Sequence, residues 1–169
     1  MKLKSFDTMN CSLALALEVV GERWTLLILR EAFFGRKRFD DFRKNLGIAR
    51  NILSARLNRL VDEGIFEKRL AGGAGRFEYV LTQKGLDLQP VMLAMVHWGD
   101  EYAPHAQGKR LIFVEAATGQ PIAPMAVRNR DGRVLKPREI RATPGPGLRH
   151  SLAEATEAKL QHTTEGELT

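Results

Sequence analysis

The chain has 169 residues, 44% of them hydrophobic and 27% charged, with a formal net charge of +6 and a pI near 9.8. That composition supports one domain of ordinary size plus an appendage and excludes a disordered polyelectrolyte. One cysteine excludes an internal disulfide framework, and no stretch reaches the roughly 18 apolar residues of a membrane span. The opening MKLKSFDTMN lacks the apolar run of a secretory leader, so a cytoplasmic chain with no membrane partner is the expectation.

Asn10 and Ser12 are capping residues for a first helix that runs to Val20 and stops at Gly21. Leu13, Leu15, Leu17, Val19 and Val20 make it apolar on more than one side, the pattern of a helix that touches both its own core and a partner subunit. A second helix is expected over Arg23 to Phe34, with Trp24, Leu27, Ile28, Leu29, Phe33 and Phe34 inward, and Gly35 ends it. Arg36, Lys37 and Arg38 lead into a third helix, Phe39 to Asn45, with Phe39, Phe42 and Leu46 toward the core. Gly47 supplies a tight turn. The fourth helix covers Ala49 to Glu63, and Leu53, Leu57, Leu60 and Val61 form its apolar stripe. At about 100° per residue the opposite arc holds Asn51, Ile52, Ala55, Asn58 and Arg59. Ser54 and Arg56 fall on its flanks and Arg50 in its first turn.

Two strands follow, Ile65 to Leu70 and Arg76 to Leu81, around the tip Ala71-Gly72-Gly73-Ala74-Gly75. Thr82 caps a long helix through about Ala103, which Pro90 should kink by removing one hydrogen bond. Val91, Leu93, Ala94, Met95 and Trp98 leave that helix apolar over a wide arc, and a dimer interface is its expected destination. Beyond His105 the composition changes. Leu111 to Glu115 and Met125 to Arg128 read as short strands of a ribbon, with turns at Thr118 to Pro121 and Asn129 to Arg133. The expected division is therefore 1–105 for a helical domain with a small β-element, 106–147 for a β-ribbon extension and 148–169 for a tail with a short helical stretch around Leu148 to Leu160.

The order helix, turn, helix, strand, glycine-rich tip, strand is a helix-turn-helix with a β-wing, mainly α with a small β-element. Its common use is to lay the second helix of the pair in the major groove of duplex DNA. The charge agrees. Gly35 to Arg59 carries eight cations against Asp40 and Asp41, so this window alone equals the whole net charge of +6. Lys37, Arg38, Arg43, Arg56 and Arg76 are candidate phosphate clamps. Arg50, Asn51, Ser54 and Ala55 stand where base edges would be read, arginine pairing with guanine, asparagine with adenine, and an alanine methyl touching thymine. For Asn51 the alternative is a helix-start side chain capping its own backbone. Arg76, beside the tip, is placed to reach the minor groove.

Three segments carry a family likeness: GERWTLLILRE, GRKRFDDFRKNLGI, and LSARLNRLVDEGIFEKR with EYVLTQKG. Across about residues 11 to 102 the chain resembles the HxlR-type winged-helix transcriptional regulators, which are related to the MarR group. The resemblance implies a homodimer joined by the N-terminal and C-terminal helices, a roughly palindromic DNA operator, most often repression, and modulation by a small molecule or an oxidant. Two departures stand out. Cys11-Ser12 replaces the usual Cys-Pro, and Ala49-Arg50-Asn51 replaces Ser-Pro-Lys at the opening of the reading helix, which removes a serine cap. The extension resembles a zinc-ribbon-like knuckle whose metal ligands are absent. Its turns Ala117 to Gln120 and Asn129 to Gly132 offer neither thiol nor imidazole, so no metal is expected there.

Cys11 lies at a helix start, where the dipole favours an anionic sulfur, and several members of the family use a cysteine there to sense oxidants or electrophiles. The alternative is a small residue buried at the dimer interface. An effector pocket between the first and the long helix, lined by Leu17, Met95 and Trp98, is a second candidate sensor. His97 and Glu101, with Asp100 near them, read as the polar rim of an interface helix rather than metal ligands. No Ser/His/Asp set, P-loop or dinucleotide fingerprint is present, so no enzyme and no cofactor are expected. The other non-catalytic reading is a winged helix used for protein contact, a kind of module that usually lacks a cationic reading face.

Overall fold

The computed structural model describes residues 5–6, 8–72 and 75–148. The chain forms two compact units, Met1–Met125 and Ala126–Thr169. The first contains α1 (Ser12–Val20), α2 (Thr25–Phe33), α3 (Phe39–Leu46), α4 (Arg50–Asp62), β1 (Phe66–Ala71), β2 (Arg76–Leu81), α5 (Gln83–Leu86) and α6 (Gln89–Tyr102). The strands pair antiparallel from Phe66 opposite Leu81 to Ala71 opposite Arg76. The Tyr79 N–H donates to the Lys37 carbonyl at 2.8 Å, which ties β2 to the segment before α3.

The core explains why these elements assemble. Ile28 and Leu29 of α2, Phe42 of α3, and Leu53, Leu57 and Leu60 of α4 are closed off from solvent. Trp24 and Phe33 pack at its margin. Phe42, Phe66 and Tyr79 form an edge-on aromatic triad, with centroid separations of 6.3, 6.5 and 6.4 Å. The geometry is the one ring quadrupoles prefer, and it clamps α3 to both strands. Burial pushes the Tyr79 phenol above its ordinary range. Gly47 ends α3 with φ +61, a left-handed conformation that a side chain would strain, and this makes the tight turn into α4.

Four details depart from expectation. Leu27 and Phe34 point outward; they lie seven residues apart on one helix face, while Thr25, Ile28 and Leu29 take the inward face. Cys11, rather than Asn10 or Ser12, is the N-cap residue of α1, and its side chain makes no capping bond. The long helix is broken in two. Thr82 caps the single turn of α5, its Oγ1 accepting from the Gly85 N–H at 3.2 Å. Gly85 packs so closely that a Cβ would lie 2.4 Å from the Ile65 carbonyl oxygen. Pro90 then stands in the first turn of α6, where its missing N–H had no partner to lose, so it starts a helix instead of kinking one.

The fourth departure is in the extension. The stretches 111–115 and 125–128 do not form regular strands. Each curls onto its own following turn and closes with an isolated bridge, Val114 to Pro121 and Arg128 to Val134. The expected turns are present, with Gly119 and Gly132 at positive φ. In the second unit the Glu139 carboxylate accepts from the Lys136 N–H at 2.7 Å and from Arg133 at 3.0 Å, which holds its pKa below the usual range. Of the helical stretch expected over Leu148 to Leu160 only Leu148 is described, in helical backbone; the rest of it, and the centre of the wing tip, 73–74, lie outside the described residues. Among the described residues no helix is long and apolar enough to cross a membrane.

Candidate nucleic-acid interface

α4 is anchored by its apolar stripe and presents the other side outward. Arg50, Asn51, Ala55 and Asn58 are exposed and Ser54 is half-buried. Asn51 makes no side-chain hydrogen bond within the described residues, and α4 has no side-chain cap: Ala49 occupies that position in extended backbone. An Ala49→Ser protein is therefore expected to gain about 1 kcal/mol, because its hydroxyl can accept one orphan N–H of the first turn. A denaturant midpoint that does not rise, at unchanged m-value, would count against it. Arg50 stacks over the Phe39 ring at 5.3 Å, so its guanidinium is held at the junction of α3 and α4.

Beside this helix stand Lys37, Arg38 and Arg43, all exposed. Arg38 reaches Glu78 of β2 at 3.6 Å and Arg43 reaches Asp40 at 3.8 Å. Glu78 is half-buried and the other three side chains are exposed, and at these distances both pairs are weak enough to yield to a phosphate. Arg36 and Lys44 are exposed near them. On the wing, Arg76 is exposed at the start of β2, Arg69 pairs with Glu67, and the Lys68 ammonium lies 4.3 Å from the centre of the Phe77 ring.

Arg56 is arranged differently. It is half-buried and pairs with Glu22 at 2.9 Å. Arg59 donates to the Glu18 carbonyl at 2.7 Å and lies 3.8 Å from the Glu18 carboxylate. These two arginines tie α4 to α1 and the loop after it, so Arg56 is not brought together with the exposed set. The sequence reading also passed over Glu31. It is buried, binds Arg30 at 2.7 Å and accepts from Asn45 Nδ2 at 2.9 Å, which fixes α2 to the end of α3. A lone glutamate in a helical run gives no signal of this kind.

The sensor candidates separate as well. Cys11 is exposed on the single chain. Leu17 lines a groove that α1 shares with α4, whereas Met95 and Trp98 do not line it and stand largely in solvent on α6, Trp98 against Tyr102. The expected pocket joining all three is therefore not formed within one chain. His97 Nδ1 accepts from the Met125 N–H at 3.0 Å, and Asp100 faces Arg110 at 3.7 Å.

A helix pair around a left-handed glycine, followed by a two-stranded hairpin packed on the second helix, is a winged helix-turn-helix. Residues 19–107 match the model of the HxlR-like helix-turn-helix family, and the chain belongs to that family. It is 41% identical over 145 residues to an HTH-type transcriptional regulator of Mycobacterium tuberculosis, covering 85% of this chain and 92% of that one. The HTH-type transcriptional regulator YodB of Bacillus subtilis is 32% identical over 98 residues, 57% of this chain and 88% of YodB. The crystal structure of PA1607 superposes with a TM-score of 0.78 at 37% identity, over 84% of this chain and all of that one. The reduced redox regulator HypR aligns at a TM-score of 0.52 and 28% identity, over 55% of this chain and 94% of HypR.

Proposed function

We propose that the protein is a transcriptional regulator that binds a specific duplex DNA site as a homodimer, with repression as the expected sign. The observation that carries this reading is the outward arc of α4, where Arg50, Asn51 and Ala55 are exposed and Ser54 is half-buried, beside the exposed cations Lys37, Arg38 and Arg43. A helix so flanked fits the major groove, its neighbours neutralising phosphates and its own side chains meeting base edges. The family and the relatives' names support the same class. Arg76 we place at the adjacent minor groove, and Arg56, a clamp candidate by sequence, we assign to the link between α4 and the loop after α1.

Dimerisation is supported by apolar surface that one chain leaves uncovered. Leu13 on α1 and Val91, Met95, Trp98 and Tyr102 on α6 are exposed. The four α6 residues, spaced by three or four, form one apolar stripe, and an exposed stripe of this kind marks an interaction surface. Two reading helices about one DNA turn apart, roughly 34 Å, would then meet a palindromic site.

Mobility shifts on genomic fragments at two salt concentrations test the reading. Tight, salt-sensitive binding to a few fragments is expected. Indifference to every duplex at low salt would overturn it and leave the protein-contact use of the fold. Arg50→Ala or Asn51→Ala should change which operator is preferred, each lost bidentate contact being worth about 1–3 kcal/mol of discrimination; equal weakening on all sequences would move that residue to the phosphate-binding group. Regulation by oxidation is supported by the exposure of Cys11, its place at the start of α1 and the fold shared with a redox regulator. A Cys11→Ser protein should lose any response of duplex binding to an oxidant, and a retained response would eliminate the thiol as sensor.

A further inference from the structure

The second unit carries a charge excess of its own. Between Ala126 and Leu148 stand Arg128, Arg130, Arg133, Lys136, Arg138 and Arg141 against Asp131 and Glu139, a net of +4. The whole chain is +6 and the window Gly35 to Arg59 is also +6, so everything else is net −4. Positive charge is gathered in two stretches, one on each unit.

The six cations stand on a hydrogen-bonded frame. The Leu135 N–H donates to the Val127 carbonyl at 2.8 Å and the Asn129 N–H to the Arg133 carbonyl at 3.0 Å, which closes a short hairpin. Asn129 Oδ1 accepts from the N–H groups of Asp131 and Arg133 at 3.1 and 2.9 Å and fixes the turn. Arg128 donates to the Gly132 carbonyl at 2.7 Å, so its guanidinium lies at that turn, which Arg130 also occupies. The Arg133–Glu139 pair at 3.0 Å fastens the outgoing chain to the hairpin. Both carboxylates are engaged within this frame. Glu139 holds Arg133, and Asp131 accepts from Asn129 Nδ2 at 3.2 Å. Arg128, Arg130, Lys136, Arg138 and Arg141 are exposed and have no carboxylate partner among the described residues.

We propose that this unit is a further contact to duplex DNA, its unneutralised cations meeting phosphates in addition to those met by the helix pair. The proposal rests on the protein binding duplex DNA at all. Five of the six cations are arginine, whose planar fork bonds two phosphate oxygens at once where lysine offers a point charge. The stretch 126–148 has no Phe, Trp, Tyr or His, so it gives the splayed bases of a single strand no aromatic platform to stack on. Contacts of this kind add affinity and salt dependence without sequence choice. The competing occupant is the chain's own 149–169, which holds four glutamates against Arg149 and Lys159.

Titration of the full chain against its preferred duplex at several salt concentrations tests the proposal. Arg130→Gln, Arg138→Gln and Arg141→Gln are combined, because these side chains hold nothing else in place. The slope of log affinity against log salt should fall by about 2.7, so that between 50 and 200 mM salt the parent loses about 40-fold more affinity than the variant. Arg130→Gln alone should lower the slope by about 0.9, which keeps the test open if the triple variant folds poorly. Arg23→Gln with Lys109→Gln, which removes two exposed cations of the first unit, should leave the slope unchanged. An unchanged slope in the triple variant, an equal fall in the Arg23/Lys109 control, or a loss seen only with single-stranded DNA would overturn the proposal. So would a slope effect that appears only after Glu154, Glu157, Glu165 and Glu167 are changed to glutamine, which would assign the cations to the chain's own acidic end. A parent that binds no duplex would remove the proposed function and this contact together, whereas a parent that binds with a slope equal to the variant's would remove this contact alone.

Discussion

Replacing Phe42 with alanine is expected to remove about 3–5 kcal/mol of stability. Phe42 is wholly buried and is the one ring of the aromatic triad contributed by a helix; Phe66 and Tyr79 come from the two strands. Truncation opens a cavity that neither strand can fill, because both are fixed by their mutual ladder, and it removes two edge-on ring contacts as well. In a domain of this size the loss corresponds to a fall in melting temperature of about 15–30 °C. Phe42→Leu keeps most of the volume and should cost less than half as much. A Phe42→Ala protein that melts within a few degrees of the parent would show that α3 does not depend on the triad.

The second large effect concerns charge. Converting Lys37, Arg38 and Arg43 together to glutamine should weaken binding to all duplexes alike and lower the slope of log affinity against log salt by about 2.7, near 0.9 for each phosphate contact. Between 50 and 200 mM salt the parent would then lose about 40-fold more affinity than the variant. Stability should change little, because Arg43–Asp40 is an exposed pair and Arg38–Glu78, whose glutamate is half-buried, is long at 3.6 Å with its arginine exposed. Singly, Lys37→Gln or Arg38→Gln should lower the slope by about one. Parallel salt dependences for the parent and the triple variant would place the phosphate contacts elsewhere on the protein.

The helix pair and the wing were legible because local signals agreed. Gly47 and Gly64 bounded α4, the leucines at 53, 57 and 60 gave its buried face, and alternation marked β2. What escaped the sequence depended on contacts between distant residues. Arg56 sits on a helix flank and reads as cationic surface until Glu22, from another segment, is seen beside it. Leu27 and Phe34 look like core residues because hydrophobicity alone cannot say which of two apolar faces meets the body of the fold. Pro90 read as a kink because the break before it comes from the close approach of Gly85 to Ile65, a contact twenty residues away in sequence. The two short strands of the extension have suitable composition, but register decides whether they pair, and composition does not encode it.

The bond from the Tyr79 amide to the Lys37 carbonyl adds a third, one-rung edge to the hairpin. A pull on the hairpin tip by a bound macromolecule is thereby passed straight to the backbone beneath Arg36 and Arg38, without crossing the helices. The exchange lifetime of that single amide proton then serves as a gauge of whether hairpin and basic loop move as one lever or as two.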